Sequence, residues 1–176
     1  YVSCHKESYV PENRMLFPIQ VGTELADKQF EGMMHDNDGD NISFKNKYYC
    51  ELTAQYWAWK NEEADYYGFF HYRRYLSFNP IKLEEDGWGS VIYDTISNEA
   101  LNELRIDEKC MENIINQYDV ITTIPRNIRN SKKNRHATIY TQYASESKSH
   151  KKEDMDLVIK IIQEKYPKFN EAVSEY

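Results

Sequence analysis

The segment from residue 47 to residue 76, KYYCELTAQYWAWKNEEADYYGFFHYRRYL, constrains this chain more than any other. Up to Asn61 it holds no Gly or Pro, and Leu52, Tyr56 and Trp59 recur at i, i+4 and i+7. That spacing predicts an amphipathic helix over 47–61 with this stripe turned inward. Residues Tyr66 to Phe70 then read as a buried aromatic strand, and its apolar character stops at His71, Arg73 and Arg74. A helix that feeds directly into a buried strand is the building unit of a layered α/β fold.

The rest of the chain extends the pattern. VSCHK begins a first strand with Val2 and Cys4 on one face, and FPIQVG at 17–22 reads as a second, stopped at Gly22. The polar run HDNDGDNISFKN has the turn chemistry of crowded Asp, Asn and Gly. DEKCMENIINQY predicts a helix with Cys110 or Met111, Ile114 and Ile115 inward. YDVITTIP at 118–125 is β-branched and predicts a further core strand closed by Pro125. A last helix carries Met155, Val158, Ile159 and Ile162 as its stripe and ends at Pro167. The expected architecture is an α/β sandwich with a mostly parallel central sheet, one domain over 1–176. A chain of 176 residues with 40% hydrophobic content is enough for one core and too little for two comfortable ones. It opens at Tyr1 in a strand and stops at Tyr176 in a helix-like segment, so the domain is expected to be incomplete at its C-terminal end.

Charge and cysteines narrow the function classes. The net charge of −7 argues against broad nucleic-acid binding, while the basic run RNIRNSKKNR, from Arg126 to Arg135, is a solvated loop that could also meet an anionic membrane. No apolar run approaches the roughly 18–20 residues of a membrane span, so a soluble, cytoplasmic protein is expected. Cys4, Cys50 and Cys110 are few, odd in number and widely spaced, which suits reduced thiols in or near a core.

Ligands of such sheets bind beyond the carboxyl ends of the strands. That rule sets His5 and Lys6, then His71, Arg73 and Arg74, then Arg126, along one edge as an anion site suited to a pyrophosphate gripped by planar guanidinium groups. The bland alternative pairs Arg73 and Arg74 with Glu51 or Asp65 and buries His71 in the core. The acids of DNDGDN, 36–41, invite a calcium reading that fails on spacing. Counted from Asp36, the twelfth position is Lys47 instead of Glu, and Gly39 falls two places early. A self-bonded turn, or chelation of a nucleotide-borne ion by Asp36 and Asp38 or by Asp38 and Asp40, stays open. Twelve of the 25 aromatic residues lie between Tyr48 and Phe78, most of them expected in the core. G-x-S-x-G, H-E-x-x-H, P-loop and G-x-G-x-x-G patterns do not occur, which removes the reaction classes they serve.

GDNISFKN, YYCELTAQYWAWKN, YYGFFHYRRYL and YDVITTIPR together resemble a bacterial family described as domain of unknown function 4422. That family occurs among capsular and exopolysaccharide biosynthesis proteins and is regarded as glycosyltransferases. The resemblance implies a glycosyltransferase A-type fold and transfer from a uridine diphosphate sugar, galactofuranose among the candidates, to an oligosaccharide or lipid-linked acceptor at the inner face of the plasma membrane. In that fold the apolar strand commonly ends in Asp-x-Asp, which holds a metal on the donor; here HYRR stands in its place. The replacement implies that His71, Arg73 and Arg74 serve the diphosphate without a required metal, manganese being an optional ion. By the same resemblance His5 and Lys6 lie near the nucleotide, Asn41, Ser43 and Asn46 line the donor pocket, and Arg126 joins the anion edge. Asp119, Glu51 and Asp65 are the candidates for a general base. A nucleotide-sugar hydrolase, or a binding or scaffold module of a polysaccharide assembly complex, is the alternative.

Overall fold

A computed structural model of the chain describes residues 1–87, 89–125, 138–146 and 148–174. Its contacts fall into two compact units, Tyr1–Thr123 and Ile124–Tyr176. The first is built on a four-stranded sheet in the order β3-β2-β1-β4, from β1 (Val2–Cys4), β2 (Pro18–Gln20), β3 (Met34–His35) and β4 (Phe70–His71). Every pairing is parallel: Val2 lies opposite Pro18 on one side and Phe70 on the other, and Ile19 lies opposite Met34. All four strands therefore end at the same edge of the sheet. Pro18 occupies the first position of its strand, where its missing N–H costs no ladder bond.

Alternation along the strands makes two cores. Val2 and Cys4 point to a cluster with Leu16, Tyr72, Phe78, Ile106 and Met111. Ile19 and Val21 point to another with Ala54, Trp57 and Ala58. Helix α2 (Leu52–Asn61) covers the second face. Helix α4 (Glu108–Ile115), whose Asp107 side chain accepts the Cys110 N–H as a cap at 3.0 Å, contributes Met111 to the first. A short α3 (Asn98–Glu103) precedes it, capped by Ser97. The sheet thus has an apolar layer on each side. Burial pushes the Cys4 thiol up to about 11, which makes it an inert core group.

Four expectations are corrected here. The helix over 47–61 is broken: α1 (Asn46–Tyr49) ends at Cys50, whose φ of 46° and ψ of −128° interrupt the spiral before α2 begins. The stripe of α2 is also different, because Thr53, Ala54, Trp57 and Ala58 are buried while Leu52 and Trp59 are 51% and 65% exposed. Residues 118–125 form no strand. They run without a sheet partner among the described residues, with Val120 and Ile124 exposed, since β-branched composition makes a strand only where a neighbour offers a ladder. Cys50, expected near the core, is exposed.

The second unit contains α5 (Ile139–Glu146), α6 (Lys152–Lys165) and, after a turn at Pro167, α7 (Asn170–Ser174). The Tyr140 hydroxyl donates to Asp156 at 2.6 Å and the Tyr143 and His150 rings stack at 4.5 Å, which joins the first two helices. Met155, Ile159 and Ile162 are partly covered, as the stripe predicts, whereas Val158 is exposed. Among the described residues no helix is long and apolar enough to cross a membrane.

Candidate functional site

Because the strands are parallel, the loops after all four open on one edge. Among the described residues, the sequence-predicted site residues lie in these loops, in α1, which follows the third, or, for His71, at the last position of β4. Arg126, and the basic run it begins, lie outside the described residues.

The ends of β1 and β4 and the loops after them bring four basic side chains to one aromatic ring. Tyr72 is buried between the strand ends, and its N–H donates to the Ser3 carbonyl at 3.1 Å. The His71 ring lies 4.2 Å from it and the His5 ring 5.3 Å, edge-on. Lys6 Nζ and Arg73 Cζ stand 5.5 and 5.1 Å from the ring centroid, close enough for the quadrupole to attract both cations. Arg74 belongs to the same turn, which closes on itself through His71 N–H to Arg74 O at 3.2 Å and Arg74 N–H to His71 O at 2.8 Å. Among the described residues neither Arg73 nor Arg74 pairs with a carboxylate, so the bland ion-pair reading does not describe them.

The acid that does approach is Glu51, whose Oε1 stands 3.6 Å from His71 Nε2. On the other side of the ring Nδ1 accepts the Arg73 N–H at 3.2 Å. Burial holds the imidazole below its ordinary pKa; Glu51 opposes that shift, and Arg73, Arg74 and His5 reinforce it. The ring is neutral at pH 7, with its hydrogen on Nε2. Of the three candidate bases only Glu51 touches this cluster; Asp65 and Asp119 lie on exposed stretches.

A second, polar cluster follows β2 and β3. Asp36, fully buried, accepts the N–H groups of Gly22 and Thr23 at 2.8 and 3.0 Å and the Ser43 hydroxyl at 2.5 Å. Asn41 accepts the Ser43 N–H at 3.2 Å and donates to the carbonyls of Asn37 and Gly39. Asn46 donates to the Cys50 carbonyl and Thr53 Oγ1 at 2.8 and 3.0 Å. It also lies over Gly22, which has φ of 69°, and a Cβ there would stand 2.7 Å from Asn46 Cγ, so the close approach needs glycine. Asn41, Ser43 and Asn46 are thus brought together, and the bonds they make shape the loops themselves. The DNDGDN segment is bonded to itself through Asn41 and also to α2: Asp40 accepts the Tyr56 hydroxyl and its N–H meets Asn61 Oδ1, while the Asp38 carbonyl accepts from Trp57 Nε1.

Two features escaped sequence reading. Tyr72 sits between His71 and Arg73 on the opposite face of the strand end, and the i, i+1, i+2 alternation of HYR was the available signal. The conformation of Cys50 had none: a non-glycine residue at positive φ costs about 1–3 kcal/mol, and nothing in the side chain announces it. A separate concavity of about 570 Å³ along α4, lined by Arg105, Asp107, Cys110 and others, includes none of the edge residues.

Residues 1–176 match the family described as Domain of unknown function (DUF4422). The chain belongs to that family. No curated protein matches it. Among solved structures it is similar to the apo form of WbbM, a bifunctional glycosyltransferase, at 35% identity with a TM-score of 0.89. The likeness covers 98% of this chain and 30% of WbbM, so the chain spans under a third of that protein's length. With its parallel sheet and helical layers, the DUF4422 chain has a glycosyltransferase A-like fold.

Proposed function

We propose that this DUF4422 chain is a glycosyltransferase domain that binds a nucleotide diphosphate sugar, a uridine diphosphate sugar in the first instance, and transfers the sugar to a saccharide acceptor of capsular or exopolysaccharide assembly. The observation that carries the reading is the group of basic side chains around Tyr72, at the carboxyl ends of two adjacent parallel strands and with both guanidinium groups free of carboxylate partners among the described residues. Likeness to a glycosyltransferase over nearly the whole chain supports the choice of reaction.

In the transfer, the bond from the anomeric carbon to the diphosphate oxygen breaks, a bond to the acceptor oxygen forms, and the acceptor hydroxyl gives up its proton. The diphosphate leaves with the electron pair. Arg73 and Arg74 meet that developing charge with preorganised donors, and Lys6 adds a point charge beside them. His5 lies next to the same ring. Asn41, Ser43 and Asn46 act by shaping the loops after β2 and β3 against the donor. A divalent cation needs several oxygen ligands, and the end of β4 offers two guanidinium groups and an imidazole. That donor set does not fit a metal, and in this reading the end of β4 meets the diphosphate with the chain's own cations.

Calorimetric titration with uridine diphosphate and its sugars tests the reading. Binding is expected to persist in chelator, and Arg73→Ala to weaken it about 10- to 100-fold, the worth of one charge-assisted hydrogen bond to phosphate. A folded protein that binds no nucleotide would refute the assignment, and product mass separates transfer to a saccharide from transfer to water.

The affinity should also depend on pH. His71 is neutral in the free protein, and an incoming diphosphate favours its imidazolium, so the bound pKa lies above the free one. Between those two values binding takes up a proton, so affinity for a uridine diphosphate sugar rises as pH falls through neutrality toward the depressed pKa of the free imidazole. Equal affinity across this range, with no dependence of the binding heat on buffer ionisation, would remove His71 from the donor site.

A further inference from the structure

Glu51 has no part in the reaction as drawn above, yet the chain goes to some length to place it. It stands at the start of α2, where a carboxylate ordinarily caps the helix, and its side chain makes no such bond. It reaches His71 instead. The junction behind it is over-determined: the Cys50 carbonyl receives Asn46 Nδ2 at 2.8 Å, Thr53 Oγ1 at 3.0 Å and the Thr53 N–H at 3.2 Å, which together hold Cys50 at its positive φ. Asn46 is in turn held over Gly22. A backbone kept in a sparsely populated conformation by so many partners is typical of places where a side chain must be aimed.

What Glu51 aims at is an imidazole fixed on its other side. With Nδ1 accepting the Arg73 N–H, the ring hydrogen sits on Nε2, the nitrogen that faces the carboxylate. The separation of 3.6 Å is that of a loose pair, the kind that tightens once a ligand draws positive charge onto the ring. Ring orientation bears on the turn from His71 to Arg74 through that Nδ1 contact, which takes up the Arg73 main-chain N–H inside the turn.

We propose that Glu51 is a positioning residue of the anion site: by holding the His71 ring it fixes the turn that presents Arg73 and Arg74 to a pyrophosphate group. The inference rests on the donor reading above for its biological ligand, although its test does not. Electrostatics alone gives the opposite expectation, since a carboxylate beside an anion site repels the ligand and its removal should tighten binding.

The experiment titrates wild type, Glu51→Ala and Glu51→Gln with inorganic pyrophosphate and with a uridine diphosphate sugar, and follows the His71 ring by nitrogen-15 NMR across pH. Glu51→Ala is expected to weaken pyrophosphate about tenfold, and Glu51→Gln, whose amide oxygen can still accept from Nε2, to stay within about threefold of wild type. The His71 titration should move to lower pH in both variants, as loss of the nearby carboxylate requires, and the positioning role is read from the rescue of pyrophosphate affinity by Glu51→Gln, which a merely electrostatic role would not give. Glu51→Ala that binds pyrophosphate as well as wild type or better, with unchanged melting, overturns the proposal. So does an unmoved His71 titration, or a wild type that binds no pyrophosphate. If pyrophosphate binds and answers to Glu51 while the nucleotide adds nothing to its affinity, positioning stands and the nucleotide-sugar reading falls.

Discussion

Asp36→Ala is expected to cost about 3–5 kcal/mol of stability, a large part of what a domain of this size has to lose. Its carboxylate is fully buried and, among the described residues, pairs with no cation. Three donors sustain it: the N–H groups of Gly22 and Thr23 and the Ser43 hydroxyl. Alanine leaves two main-chain N–H groups and a hydroxyl without acceptors in the interior, at about 1–3 kcal/mol for each group that water cannot reach. Asp36→Asn keeps the shape but sets an amide NH2 against one of those donors, so it should recover only part of the loss. Urea unfolding followed by circular dichroism measures both. If Asp36→Ala unfolds within about 1 kcal/mol of wild type, the carboxylate is not the hub that joins the loops after β2 and β3.

Trp57→Ala should be comparably severe, about 3–5 kcal/mol. Trp57 is the largest inward residue of α2, packed with Ile19, Val21, Ala54 and Ala58 and meeting the Tyr1 ring edge-on at 5.9 Å. Its removal opens a cavity between the helix and the sheet. It carries a second role, since Nε1 donates to the Asp38 carbonyl at 2.9 Å and pins the turn beyond β3. Trp57→Phe keeps most of the volume and drops that bond, so it should cost about 1–2 kcal/mol. Thermal and urea melts of the pair separate the packing from the anchoring. Equal losses in the two variants would mean that the indole N–H, and not the ring, is what matters.

These residues show how far the sequence can be read. The α/β class and the parallel sheet were legible because short apolar runs alternate with a Gly- and Pro-free helical stretch, and parallel order follows from that alternation. The inward face of α2 was not. Large apolar residues at helical spacing drew attention to Leu52, Tyr56 and Trp59, but the close approach of helix to sheet at Ala54 and Ala58 needs small side chains, and only Trp57 fills the gap they leave. The break at Cys50 further removes the phase that α1 and α2 would have shared as one helix. Strand β3 has two residues and no pattern of its own. At the edge, the bases were legible because charge directly after an apolar strand is unusual, which marked His71, Arg73 and Arg74 as well as His5 and Lys6. The aromatic surface on which they gather, and the carboxylate that reaches His71, depend on contacts between β1, β4 and the α1–α2 junction that no local pattern encodes.

The strand order has a consequence for how the chain acquires its site. The pairing of β1 with β2 closes a short loop, but β1 meets β4 only when Val2 finds Phe70, after everything between them has been laid down. Long-range parallel pairings lose loop entropy before any contact compensates, so they form slowly. His5 and Lys6 leave the first strand, and His71, Arg73 and Arg74 leave the last. The basic cluster around Tyr72 is therefore assembled by the latest-closing pair in the sheet, and during synthesis it does not exist until the fourth strand has emerged and docked.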